Sequence, residues 1–169
     1  MKYKLKGLVV AMAVICVFLA AQMQTQGTEA QIQKPQPPPQ SKPDYVPVIE
    51  VSQGQDGSSP VANGGYYTNG PAFLRLKVKN DGTADTTAAS KVNYAIYLDN
   101  KQIKNVSNQN LTGGIKKGQS QTVLDNFRMG PNLFGKWKIA FSVDVANQIA
   151  ESNEQNNGAL FTCTCQKLF

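Results

Sequence analysis

The residues best equipped for chemistry lie near the C-terminus. Asp144, Asn147, Glu151, Glu154, Asn156 and Asn157 crowd into one polar, turn-rich stretch. Calcium takes six to eight oxygen ligands at about 2.3–2.6 Å, from carboxylates, side-chain amides and backbone carbonyls. This stretch supplies all three kinds of donor, although its spacing is not that of a helix–loop–helix calcium motif. The same residues have a purely structural use. Asn and Asp side chains bond to nearby backbone and hold a wide turn open. Both readings, a structural calcium and a self-bonded turn, are open at this point. Glu151 and Glu154 also have the chemistry of a carboxylate hydrolase, which needs two carboxyls at set separations around a sugar. No aromatic platform accompanies them, so this is the weakest reading. The chain has no histidine, which removes Ser–His–Asp and Cys–His catalysis and every His-ligated metal.

Two further groups have reactive or adhesive side chains. Residues 53–72 are rich in glycine and amides and carry Tyr66 and Tyr67. Tyrosine pairs recur in recognition loops because they bury area at little rotamer cost. The alternative is that both rings cover one end of the fold. Cys163 and Cys165 occupy alternate positions of an apolar–polar pattern. In a strand their Cα atoms lie roughly 6.5–7 Å apart, at or beyond the usual disulfide range of about 4.4–6.8 Å. They read as buried core thiols, with an exposed pair that joins two chains or binds a soft metal as the alternative.

The elements that must position these groups follow from period-2 alternation. Strands are expected at Tyr45–Ser52, Phe73–Asn80, Lys91–Leu98, Lys101–Ser107, Gln119–Phe127 and Lys136–Val145, with a last one through Ala159, Phe161, Cys163 and Cys165. Pro47 makes the first an edge strand, because proline cannot donate to a ladder. Asp99-Asn100 turns one strand into the next. Trp137, Ile139, Phe141, Val143 and Val145 share one face and belong to the core. No segment shows helical periodicity over two turns. About seven short antiparallel strands with polar, glycine-rich turns make an all-β sandwich.

The N-terminus is a different material. Lys2, Lys4 and Lys6 precede an apolar run of 15 residues, Gly7–Ala21. A basic start and a short apolar run make a secretory signal peptide over residues 1–21. The run is short for a membrane span, which wants about 18 or more apolar residues. Cys16 follows Ile15 and precedes five apolar residues, which is not the setting of a lipidated cysteine. Residues 22–42, rich in Gln and Pro, cannot bury enough apolar surface to fold and read as an extended tether. Residues 43–169 then form one domain. Of 17 basic residues, three belong to the signal, and the remaining 14 against 11 acids leave +3. That is an ordinary surface, without the concentrated basic face of nucleic-acid binding.

Several landmarks together resemble the CARDB family, the cell-adhesion-related domain found in bacteria and archaea. They are Pro43-Asp44-Tyr45, Val78-Lys-Asn80-Asp-Gly82, Tyr97-Leu98-Asp99-Asn100, Gly135-Lys-Trp137 through Val143-Asp144, and Asn147 through Asn157. The last is the closest match. The resemblance implies an immunoglobulin-like sandwich on an exported protein, with a role in adhesion or appended binding. The expectation is a secreted or periplasmic, non-enzymatic module that recognises a protein or glycan at the cell envelope through Tyr66, Tyr67 and the 144–157 loop. It needs no cofactor beyond that structural calcium, binds no nucleic acid, and meets the membrane only through the signal peptide before cleavage. A structural or self-assembling extracellular subunit is the alternative.

Overall fold

The central strands form where apolar side chains alternate, because successive residues of a strand face opposite sides of the sheet. The fold was obtained as a computed structural model, which describes residues 40–68, 70–130 and 133–167. The expected signal peptide over residues 1–21, Cys16 and residues 22–39 of the expected tether lie outside the described residues. Eight strands follow in order: β1 (Tyr45–Ser52), β2 (Tyr66–Thr68), β3 (Ala72–Asn80), β4 (Ser90–Leu98), β5 (Lys101–Leu111), β6 (Ser120–Met129), β7 (Gly135–Ser142) and β8 (Gly158–Gln166). They form two sheets, one with the order β1-β3-β6 and the other β2-β8-β7-β4-β5. No helix occurs among the described residues.

The two inner faces meet in a single core. β3 contributes Leu74, Leu76 and Val78. Facing them are Val92 and Ile96 of β4, Trp137, Ile139 and Phe141 of β7, and Phe161 of β8. Trp137 is fully buried and donates its indole N–H to the Leu133 carbonyl at 3.3 Å. β1 pairs only with β3, so Pro47 sits on an edge strand as expected. Asp99 and Asn100 both take positive φ, 46° and 65°. This is the backbone of a two-residue hairpin whose twist matches its strands, and it pairs Leu98 with Lys101.

Apart from shifts of one or two residues at strand ends, β5 runs on from the expected Ser107 to Leu111, and β2 and β7 also differ from the sequence reading. β2 arises inside the expected 53–72 connection. It has three residues and runs parallel to β8, pairing Tyr66 with Thr164 and Tyr67 with Cys165. Three residues flanked by glycines carry no alternation to read. The strand expected to reach Val145 stops at Ser142, because Asp144 adopts a left-handed φ of 42° and leaves the extended region. Val143 stays buried, and Val145 is half-buried.

Candidate metal centre

The break at Asp144 begins the site. Its backbone carbonyl accepts the Asn147 N–H at 2.8 Å and closes a turn. Its carboxylate is buried and fixed from two directions. Oδ1 accepts the Ser90 hydroxyl at 2.9 Å and the Gln148 N–H at 3.0 Å, and Oδ2 accepts the Ile149 N–H at 3.0 Å. The first residue of β4 is thereby tied to the loop. Asn147 is exposed, with a φ of 51°. It shapes the turn through its backbone.

Glu151 is 4% exposed. Its Oε1 accepts the Tyr45 N–H at 2.7 Å, so the first residue of β1 hangs on it. Its Oε2 is buried and has no hydrogen-bond partner. Exposed Glu154 folds back and accepts the Glu151 N–H on Oε1 at 2.9 Å. One oxygen from each of Asp144, Glu151 and Glu154 lies within 4.8 Å of the other two. Burial raises the Glu151 carboxyl to about 6 from its ordinary 4.5. The Tyr45 N–H and the adjacent Asn157 side chain oppose that rise, and the charges of Asp144 and Glu154 add to it.

The two asparagines complete the surroundings. Asn156 donates its amide to both oxygens of Asp44, at 3.1 and 3.2 Å, which leaves its own Oδ1 buried and unpartnered. Asn157 Oδ1 is likewise buried without a partner, while its backbone carbonyl accepts the Val143 N–H at 2.8 Å. The Ser152 N–H donates to the Pro43 carbonyl at 2.9 Å. Beside Asp44 sits Asn80, fully buried at the end of β3. Its Oδ1 accepts the N–H groups of Asp44 and Gly82, and its amide donates to the carbonyls of Ala84 and Ile115. Gly82 is required here, because a Cβ would run into the backbone of residues 42–44.

Three separated stretches, 43–45, 80–82 and 144–157, therefore converge at one end of the sandwich. This geometry holds the self-bonded turn and, beside it, three carboxylate oxygens close enough together to share one cation. Asp144 and Glu154 hold backbone N–H groups, as Asx and Glx residues do in wide turns. A buried carboxylate oxygen without a partner carries a large desolvation cost, which the neighbouring Asn157 side chain offsets only in part. The donors are all hard oxygens, the kind that calcium and magnesium take and that soft metals do not favour. Their span suits opposed ligands at about 2.3–2.6 Å from one calcium.

Sequence reasoning found the three carboxylates. It did not find Ser90 or Tyr45, whose roles depend on strands distant in sequence. Tyr67 is 2% exposed and packs beside Cys163 and Cys165, its hydroxyl without a partner. Only Tyr66, 71% exposed, offers a ring to solvent. The two thiols are free and buried. Burial first, and then the neighbouring Cys165, push Cys163 up to about 12, which makes it a poor nucleophile.

The sequence model of the CARDB family matches residues 49–160, most of the chain. The chain belongs to the CARDB family. CARDB is a non-catalytic domain family. A crystal structure of a CARDB domain from Pyrococcus furiosus, in complex with di-metal ions, is similar at 23% identity and a TM-score of 0.48, covering 78% of this chain and 99% of that one. A solution structure of a CARDB domain from the same organism gives 21% identity, 75% and 97% coverage and 0.45. A domain described as from a cell surface protein of Methanosarcina acetivorans gives 18%, 74% and 93%, and 0.43. No curated protein matches the chain. In this CARDB chain the longest sequence landmark is the acidic loop itself.

Proposed function

We propose that this CARDB chain is an exported, non-catalytic binding module of the cell envelope whose 144–157 loop is locked by calcium. The observation that carries the cation is the buried, unpartnered Oε2 of Glu151 inside a triad of carboxylates. A divalent cation would give that oxygen a partner and neutralise three like charges. Asp144, Glu151 and Glu154 would hold it, with Asn157 beside them as a further oxygen donor. No cofactor beyond this ion is needed.

The lock would act on shape. The loop grips the starts of β1 and β4 through Glu151, Ser152, Asn156 and Asp144. Fixing it fixes one end of the sandwich, and end loops are where such sandwiches commonly bind. The partner is an envelope protein or glycan. A hydrolase is disfavoured because Asp144 and Glu151 are buried, with both oxygens of Asp144 and Oε1 of Glu151 held by this chain's own N–H and O–H groups.

Immobilised protein, exposed to the envelope and secreted fractions of the producing cell, tests the reading. Capture of a single partner with calcium, weakened by chelator and by Glu151→Gln, is the expected result. No capture in either condition would overturn the binding-module reading.

A further inference from the structure

The two sheets carry charge in opposite ways. In the three-stranded sheet three of the four cations, Arg75, Lys77 and Lys79, form ion pairs, and among the described residues Arg128 does not. Arg75 meets Asp125 at 2.6 Å and Lys77 meets Glu50 at 2.8 Å. None of the five strands of the other sheet contains an aspartate or a glutamate. Those strands hold Lys91, Lys101, Lys104, Lys136 and Lys138, and among the described residues none of the five forms an ion pair. Lys101 and Lys104 pair with Leu98 and buried Ile96 and take the inner side, Lys104 over the Phe127 ring of the other sheet at 5.8 Å, so the outer side carries Lys91, Lys136 and Lys138. Asp99 stands beside this sheet at the β4–β5 turn, and its Oδ1 accepts the Lys136 backbone N–H at 2.8 Å.

The register places the rest of the outer face. Lys138 lies between Tyr97 and Thr162, and its Nζ sits 5.9 Å from the centre of the Tyr97 ring. Lys136 pairs with Thr164, which pairs with exposed Tyr66. Next to the Lys138 row, Ala95 and Ala140 form a low strip between Asn105 and Leu160. Tyr66 and Tyr97 stand three strands apart, roughly 15 Å at the usual strand spacing. The result is an open, flat surface with two rings, neutral hydroxyls and amides, and cations without counter-charges.

We propose that this face binds an acidic glycan, a polysaccharide bearing carboxylates, with Lys136 and Lys138 as charge contacts and Tyr97 and Tyr66 as stacking surfaces. The proposal rests on the binding-module reading and names the class of its partner. Unpaired ammonium groups attract an anionic chain and fix its register. Aromatic rings present apolar faces to the C–H faces of sugars, while their hydroxyls stay wet. Side-chain amides and hydroxyls match a polymer that is both donor and acceptor. An acidic peptide fits less well, because peptides dock by adding a strand at an edge, and the backbone between β8 and β4 is already paired on both sides.

The test is retention of the whole exported chain on immobilised hyaluronan, dextran and polyglutamate, with sodium as the only counterion, at low and high salt. The expected result is retention on hyaluronan alone, weakening as salt rises. Lys136→Gln with Lys138→Gln should cost about tenfold in affinity, the order of two exposed charge contacts. Lys77→Gln on the other sheet should cost nothing measurable. Tyr97→Ala should cost several-fold and leave the salt dependence as it was. Equal retention on polyglutamate, no retention on hyaluronan, or indifference to the double lysine change with an unchanged melting temperature would overturn the proposal. If a partner is still captured from envelope fractions, the module reading survives and only this face is wrong. If none is captured, both fail.

Discussion

Two loops of this molecule look alike in composition and differ in what they do with an acid. Residues 53–60 and 144–157 are both polar, turn-rich and dense in small or amide side chains. The first closes on itself mainly through backbone, Gln53 N–H to the Ser59 carbonyl and Gly54 N–H to the Ser58 carbonyl, at 3.1 and 3.0 Å. Its acid, Asp56, is exposed and accepts the Ser58 N–H at 3.0 Å. Hydrogen bonds from Ser58 hold that carboxyl below its ordinary value. The second loop buries Asp144 and Glu151 and turns them toward Glu154 and the starts of β1 and β4. An exposed acid in a turn is satisfied by water and one N–H. Buried acids in a cluster call for a counter-charge or a proton. The difference shows that burial, not composition, makes the 144–157 loop a candidate site.

The contrast can be broken by removing each acid in turn. Asp144→Ala should be the most damaging, because it frees the Ser90 hydroxyl and two backbone N–H groups and deletes a cation donor. A loss on the order of 3 kcal/mol is expected in denaturant unfolding. Chelation should come next. A ligand present at a hundred times its Kd contributes about 2.7 kcal/mol, so adding chelator to calcium-loaded protein should lower Tm by several degrees. Unchanged Tm would leave the loop a self-bonded turn.

A smaller effect distinguishes proton from cation. In cation-free protein the Glu151 carboxyl is raised to about 6 from 4.5. Its protonated form is favoured by folding, so its contribution is complete below 4.5 and is lost as pH rises through 6. Cation-free protein should therefore gain on the order of 1–2 kcal/mol on acidification from pH 7 to pH 5. Glu151→Gln should flatten that profile. Saturating calcium should reverse its sign, since metal and proton compete for the same oxygens. Asp56→Ala is the smallest change. It should leave the unfolding midpoint and calcium binding as they were.

Most of the fold was legible because its strands are amphipathic. β3, β4 and β7 alternate from end to end, and a two-sided sheet records its burial in that pattern. β2 was not legible, since three residues docked in parallel on β8 show no period. The end of β7 was misplaced for a related reason. Val143 and Val145 continue the apolar rhythm, but the chain turns at Asp144, and the cause of that turn is the set of bonds to Ser90, Gln148 and Ile149. Tyr66 and Tyr67 read as a pair, yet adjacent residues of a strand face opposite sides, so one ring is in solvent and the other in the core. The carboxylates of the site were visible as a local cluster. Its other half, Asp44, Tyr45, Asn80 and Ser90, comes from strands that only the sandwich brings together.

The most direct measurement is a calorimetric titration of calcium into the metal-free chain, set beside the same titration of Glu151→Gln. The wild-type chain should take up calcium at the loop and melt higher as it fills. Glu151→Gln should fold but bind at least tenfold more weakly, because the buried unpartnered oxygen no longer carries charge. Absence of calcium uptake by the wild-type chain, or equal uptake by both, would contradict the account of the 144–157 loop.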